Sequence, residues 1–144
     1  MRSAWSGLAF FLMVGACLAA DSDAAKKEKE RLKGIWTVVR MERNAHDAPA
    51  DEYAEMTMEF TEDRLLIHRG AKTDPREYRI DPSKKPKAMD LTHPETKYSV
   101  QAIYQLSGDK LQICFERSGK PRPLTFDSKS GDFRILWILK RENS

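Results

Sequence analysis

Cysteine is scarce in this chain. Only Cys17 and Cys114 occur in 144 residues, too few for the disulfide framework that staples many small exported domains. Histidine is nearly as rare: His46, His68 and His93 stand in three separate segments, and their spacing matches no zinc template such as H-E-x-x-H. The sequence contains no Gly-x-Ser-x-Gly nucleophile turn, no phosphate-cradling glycine loop and no dinucleotide fingerprint. Charge of one sign does not dominate either. Lys and Arg total 25 against 22 Asp and Glu, a formal net charge of +3, which lacks the one-sided basic field of a nucleic-acid binder. No apolar run reaches the roughly 20 residues of a membrane-crossing helix. These absences lead us to expect no metal, no cofactor, no catalytic residues and no nucleic-acid partner.

What is present begins with a leader. Arg2 is the only charged residue before Asp21, and Gly7 to Ala20 (GLAFFLMVGACLAA) is an uncharged apolar stretch ending in small residues. A positive start, a short apolar core and a small-residue end describe a secretory signal peptide over residues 1–20. Val14-Gly15-Ala16-Cys17 also resembles a bacterial lipobox, in which the Cys17 thiol would carry a diacylglycerol and become the mature N-terminus. Ordinary cleavage after Ala19 or Ala20 is the alternative. The expected location is the periplasm or outer membrane as a lipoprotein, or else secretion as a soluble protein, with membrane contact only through the lipid. Residues 21–33 (DSDAAKKEKERLK) are charged and helix-permissive with Leu32 as the one large apolar residue. They read as a tether ending in a turn or two of helix, not as a core element.

From Gly34 to Ser144 the pattern becomes short β-branched and aromatic runs punctuated by turn residues. Strands are expected at 35–42, 55–61, 64–69, 76–80, 87–92, 98–106, 110–117 and 133–141, with 70–75 and 82–86 as loops. Met56, Met58 and Phe60 alternate with Glu55, Thr57 and Glu59, the period of two of a half-buried strand. Ser107-Gly108-Asp109 turns one strand directly into the next. About eight such strands joined by short connections predict an all-β, antiparallel up-and-down barrel.

Gly34-Ile35-Trp36 matches the Gly-x-Trp feature that opens lipocalin-like barrels, and Arg141 stands where the basic residue that packs on that Trp is found. Nearly the whole chain past the leader resembles an uncharacterised lipocalin-like domain family common in planctomycete bacteria. LKGIWTVV with ERN shortly after, DPSKKPKAMDLT, IYQLSGDKLQICF and a terminal LKRE carry the resemblance. It implies a lipocalin-like barrel with Gly34, Trp36 and Arg141 as structural residues, and no particular activity.

Trp36, Met56, Met58, Phe60, Tyr78, Tyr104, Phe115, Phe126 and Trp137 either line a ligand cavity or fill a small barrel solid. Two functions follow. One is binding of a small apolar or amphipathic ligand in the cell envelope. The other is a structural or protein-interaction module of the envelope. Cys114, in the apolar run LQICF, reads as a small hydrophobe. The neighbours Glu52/Glu55 and Asp90/Glu95 read as solvated carboxylates, and Lys84-Lys85-Pro86-Lys87 as a small basic patch able to touch anionic lipid or polymer.

Overall fold

A computed structural model describes residues 22–117 and 119–143; the leader and Cys17 lie outside the described residues. One helix, α1 (Asp23–Leu32), precedes nine strands: β1 (Gly34–Arg43), β2 (His46–Asp47), β3 (Met56–Phe60), β4 (Arg64–Arg69), β5 (Lys72–Asp81), β6 (Lys87–Thr92), β7 (Ser99–Ser107), β8 (Lys110–Phe115) and β9 (Ile135–Arg141). Apart from the two-residue β2, each strand pairs antiparallel with the next, and β9 returns to β1. The result is a closed eight-stranded barrel without a free edge along its circumference.

Alternation decides which side chains enter. Along β3, Met56, Met58 and Phe60 are buried and Thr57 and Glu59 half-exposed. The β1–β3 and β3–β4 registers put Trp36 opposite Met58 and Met58 opposite Ile67, so these residues share the inner face. Tyr104 opposite Ile113, and Ile113 opposite Trp137, continue it across β7, β8 and β9. A register shift between Val38 and Arg40 leaves Val39 outside and returns Met41 to the interior.

Strand β5 begins earlier than the turn chemistry predicts. Gly70 (φ +58°) and Ala71 close the β4–β5 turn, and the strand runs through Pro75. The Tyr78 N–H reaches back to Asp63 O, so by alternation Pro75 presents its backbone to the β6 side. The β5–β6 ladder starts only at Glu77 opposite Thr92. The proline nitrogen therefore meets no ladder acceptor and costs no strand hydrogen bond.

The segment read as a tether is a correction. Ser22 caps α1 by accepting the Ala25 N–H on its side chain at 3.1 Å. Ala25, Glu28 and Leu32, spaced three and four apart on one face, are buried against the barrel end. One leucine sufficed because the barrel mouth it fills is narrow and the rest of the face is an alanine and a paired carboxylate. Helix, barrel and core all lie within residues 22–143, so every contact that holds the fold is internal to that stretch.

A second, smaller apolar cluster lies on the outside of the barrel. Ile103, Cys114 and Leu136 are buried beneath the long β8–β9 connection, where Phe126 and Ile138 pack on them. Arg122 pins that connection down, donating to Met89 O at 3.2 Å and Ala102 O at 2.7 Å while pairing with Asp90 at 2.6 Å.

Candidate functional site

Three places in the barrel gather functional side chains: the interior, the end closed by α1, and the outer wall. In the interior, Trp36 and Met58 are fully buried, Tyr104 is 1% exposed, Met56 and Phe60 2% and Trp137 3%. Phe115, half-buried, stacks on Trp137 with ring centroids 4.5 Å apart. Phe60 meets the edge of Tyr78 at 5.3 Å, and the Tyr78 hydroxyl donates to Thr61 O at 2.9 Å. Interior positions are thus occupied by side chains in mutual contact. The clefts described below all open on the outside of the barrel.

The closed end is built on Trp36. Its indole N–H donates to Leu32 O at 2.9 Å, tying α1 to β1. The Arg141 guanidinium lies 4.2 Å over the indole centre, donates to Lys33 O at 2.8 Å and to Arg31 O, and stands 3.7 Å from Asp109. A cation over an indole is worth about 0.5–2 kcal/mol, more as water is excluded. Gly34 has φ +120°, and a Cβ there would lie 3.3 Å from the guanidinium. The glycine is required both by backbone conformation and by the close approach of Arg141.

Beside this plug lies a buried carboxylate that sequence reasoning missed. Glu28 accepts from Lys87 Nζ at 2.7 Å, from Arg31 at 3.3 Å and from the Tyr104 hydroxyl at 3.4 Å. Burial, reinforced by the neighbouring Glu28 charge, holds the Tyr104 phenol far above its ordinary range. The one available signal was the Ala25, Glu28, Leu32 spacing, masked by the surrounding charges. The cluster joins helix to barrel and leaves no lone pair aimed at solvent-borne substrate.

On the outer wall, Glu59, His68 and Thr73 form a row across β3, β4 and β5. His68 Nε2 is 3.3 Å from Glu59 and Nδ1 3.0 Å from the Thr73 hydroxyl. Carboxylate, imidazole and hydroxyl in series is the order of a nucleophilic triad. Here it spans a pleated surface with Thr73 exposed, and none of the described clefts is lined by any of its members. It lacks the walled site and convergent donors that acyl transfer uses. The other histidines are elsewhere: His46 lies exposed on β2, and His93 Nδ1 accepts from Glu95 and Thr96 N–H, each at 3.2 Å, in the β6–β7 turn. No group of three or more potential metal ligands occurs among the described residues.

Cys114 donates to Asp127 O at 3.6 Å, and burial pushes its thiol up to about 11, the opposite of a reactive thiolate. Glu52 pairs with Arg43 at 2.5 Å and Asp90 with Arg122; neither faces its sequence neighbour as an acid–base couple.

Three surface clefts bear on binding. One of about 670 Å³ between α1 and β5 mixes Lys29, Arg64 and Arg79 with Asp63, Glu77 and Asp81. A second, of about 240 Å³, is lined by Lys84, Lys85 and Lys87 over Tyr104, Leu106 and Phe126. The third, of about 580 Å³, lies on the outer wall around Val39 and Ile138, between Arg40, Lys110 and Lys140. Among the described residues no helix is long and apolar enough to cross a membrane. No family model matches the chain, and no curated protein or solved structure matches it significantly.

Proposed function

We propose that this chain is an exported, non-enzymatic interaction module of the cell envelope, a lipocalin-like barrel whose interior serves stability and whose outer wall serves recognition. The observation that carries the reading is the filled interior. Trp36, Met58, Phe60 and Tyr104 are each no more than 2% exposed, whereas a ligand pocket takes roughly 300 Å³ or more of concave space. The outer wall supplies an alternative surface. Val39 is 48% exposed beside Ile138, ringed by Arg40, Lys110 and Lys140, an apolar centre with a charged rim. Native mass spectrometry of the protein isolated from its own envelope should show the bare polypeptide mass, plus any lipid on Cys17. Cross-linking from Val39 should capture an envelope protein that a Val39→Asp/Ile138→Asp variant loses. A stoichiometric small molecule bound in the barrel would overturn the reading.

One observation favours the other function. The Trp137 indole N–H is buried with no hydrogen-bond partner among the described residues, beside half-buried Phe115 and Ile135. An orphaned buried donor costs about 1–3 kcal/mol, which an acceptor on a small amphipathic ligand would recover. Under this second reading Trp137→Phe weakens ligand retention. Under the first it is neutral or stabilising.

A further inference from the structure

We infer that the lysine-lined cleft beside α1 docks the barrel on an anionic phospholipid surface. The inference extends the envelope reading by naming a partner for the plugged end of the barrel. Lys84 and Lys85 are exposed in the β5–β6 loop, and with Lys87 they rim a cleft of about 240 Å³ floored by Leu106 and Phe126. No acidic residue lines it. Lys87 is neutralised by Glu28 at 2.7 Å, and the nearby Asp81 carboxylate is taken up by Ser83, whose N–H and hydroxyl donate at 3.0 and 2.5 Å. Lys84 and Lys85 therefore keep uncompensated charge. The contrast with the opposite flank of α1 is sharp: there Asp63, Glu77 and Asp81 stand among the cations.

The helix adds to the same end. Lys26 and Lys27 are exposed, and neither they nor Lys84 and Lys85 have a side-chain ion pair among the described residues, whereas Lys33, Arg31 and Arg141 all do. Lysines as point charges over an apolar floor suit a phosphate with hydrocarbon attached. A nucleic acid would call for a longer basic track with stacking aromatics. Position agrees with charge. Cys17 precedes Ser22 by five residues, which span at most roughly 18 Å of extended chain, so a lipid on Cys17 would hold this end of the barrel at the bilayer.

The test uses the chain from Ser22 to Ser144, which contains the whole barrel and its plug, without the apolar leader. Sedimentation with vesicles of phosphatidylcholine containing phosphatidylglycerol should carry the protein down, and vesicles of phosphatidylcholine alone should not. Binding should weaken as salt shortens the screening length from about 10 Å at 0.1 M to about 3 Å at 1 M. Each surface lysine contributes about 1 kcal/mol near an anionic membrane, so Lys84→Gln/Lys85→Gln should lower partitioning by roughly 30-fold, with unchanged thermal unfolding because both side chains are exposed. Equal binding to neutral vesicles, or full retention by the double variant, would overturn the inference. Displacement by millimolar inorganic phosphate would reassign the cleft to a free anion and overturn the lipid assignment too. The anchor is tested apart from this, by the mass of the mature N-terminus. An unmodified Cys17 with intact vesicle binding removes only the anchor, and a lipidated Cys17 without vesicle binding removes only the docking surface.

Discussion

At the scale of single residues, the two that carry most information are Glu28 and Cys114, both ordinary in sequence and both buried. Glu28→Ala leaves Lys87 and the Tyr104 hydroxyl without their acceptor. It should cost about 1–3 kcal/mol by urea unfolding, the lower half being favoured because Lys87 reaches water. Glu28→Gln keeps the shape and one acceptor oxygen and should cost less. Cys114 governs the alkaline limit. Its thiol is raised from 9.0 to about 11 in the fold, so the folded chain keeps a proton that the unfolded chain releases. Stability is then fully present below pH 9 and declines as pH rises towards 11, by about 2 kcal/mol in all. Tyr104, raised for the same reason of burial, adds to the decline above pH 10. Unfolding curves from pH 7 to 11 should show this slope, and Cys114→Ala should flatten the portion between 9 and 10.

At the scale of elements, α1 and the β8–β9 connection each cover a face of the barrel. Leu32 is fully buried at the plugged end, so Leu32→Ala should cost about 2–5 kcal/mol, and the indole it shields should shift its fluorescence to the red. Arg122 holds the connection through two carbonyls and a carboxylate. Arg122→Ala should loosen it locally while the barrel persists, and Cys114 beneath should become reactive to a thiol reagent well below the unfolding midpoint. An unchanged thiol rate would show that Phe126 packing alone secures the cover. The strands themselves were legible in advance: the alternation of Met56, Met58 and Phe60, the Ser107-Gly108-Asp109 turn and the two apolar runs it joins all stand where the periodicity put them. The helix was not, because its hydrophobic signature is one leucine among lysines and glutamates. Strand β5 was read short, because Pro75 is tolerated only where the neighbouring ladder has not yet begun.

At the scale of the whole molecule, every pairing but one joins neighbours in sequence; β1 with β9 closes the ring. Closure is what shields the β1 and β9 edges and completes the interior around Trp36, Met41, Trp137 and Leu139. A chain ending at Arg134 lacks β9 and leaves β1 and β8 as open edges, so it should aggregate rather than persist as a soluble barrel. Recovery of a soluble monomer of native-like near-ultraviolet circular dichroism would contradict this.

The sequence by itself determined the strand pattern, the antiparallel meander and the pairing of a glycine–tryptophan start with a late arginine, because period-two burial and turn chemistry are local properties. Only the tertiary structure decided what surrounds a side chain. It put Glu28 in the plug, Cys114 outside the barrel wall under a loop, and Lys84 and Lys85 around a cleft free of acids. Each of these depends on elements distant in the chain, whose approach is set by how the ring closes and no local spacing encodes.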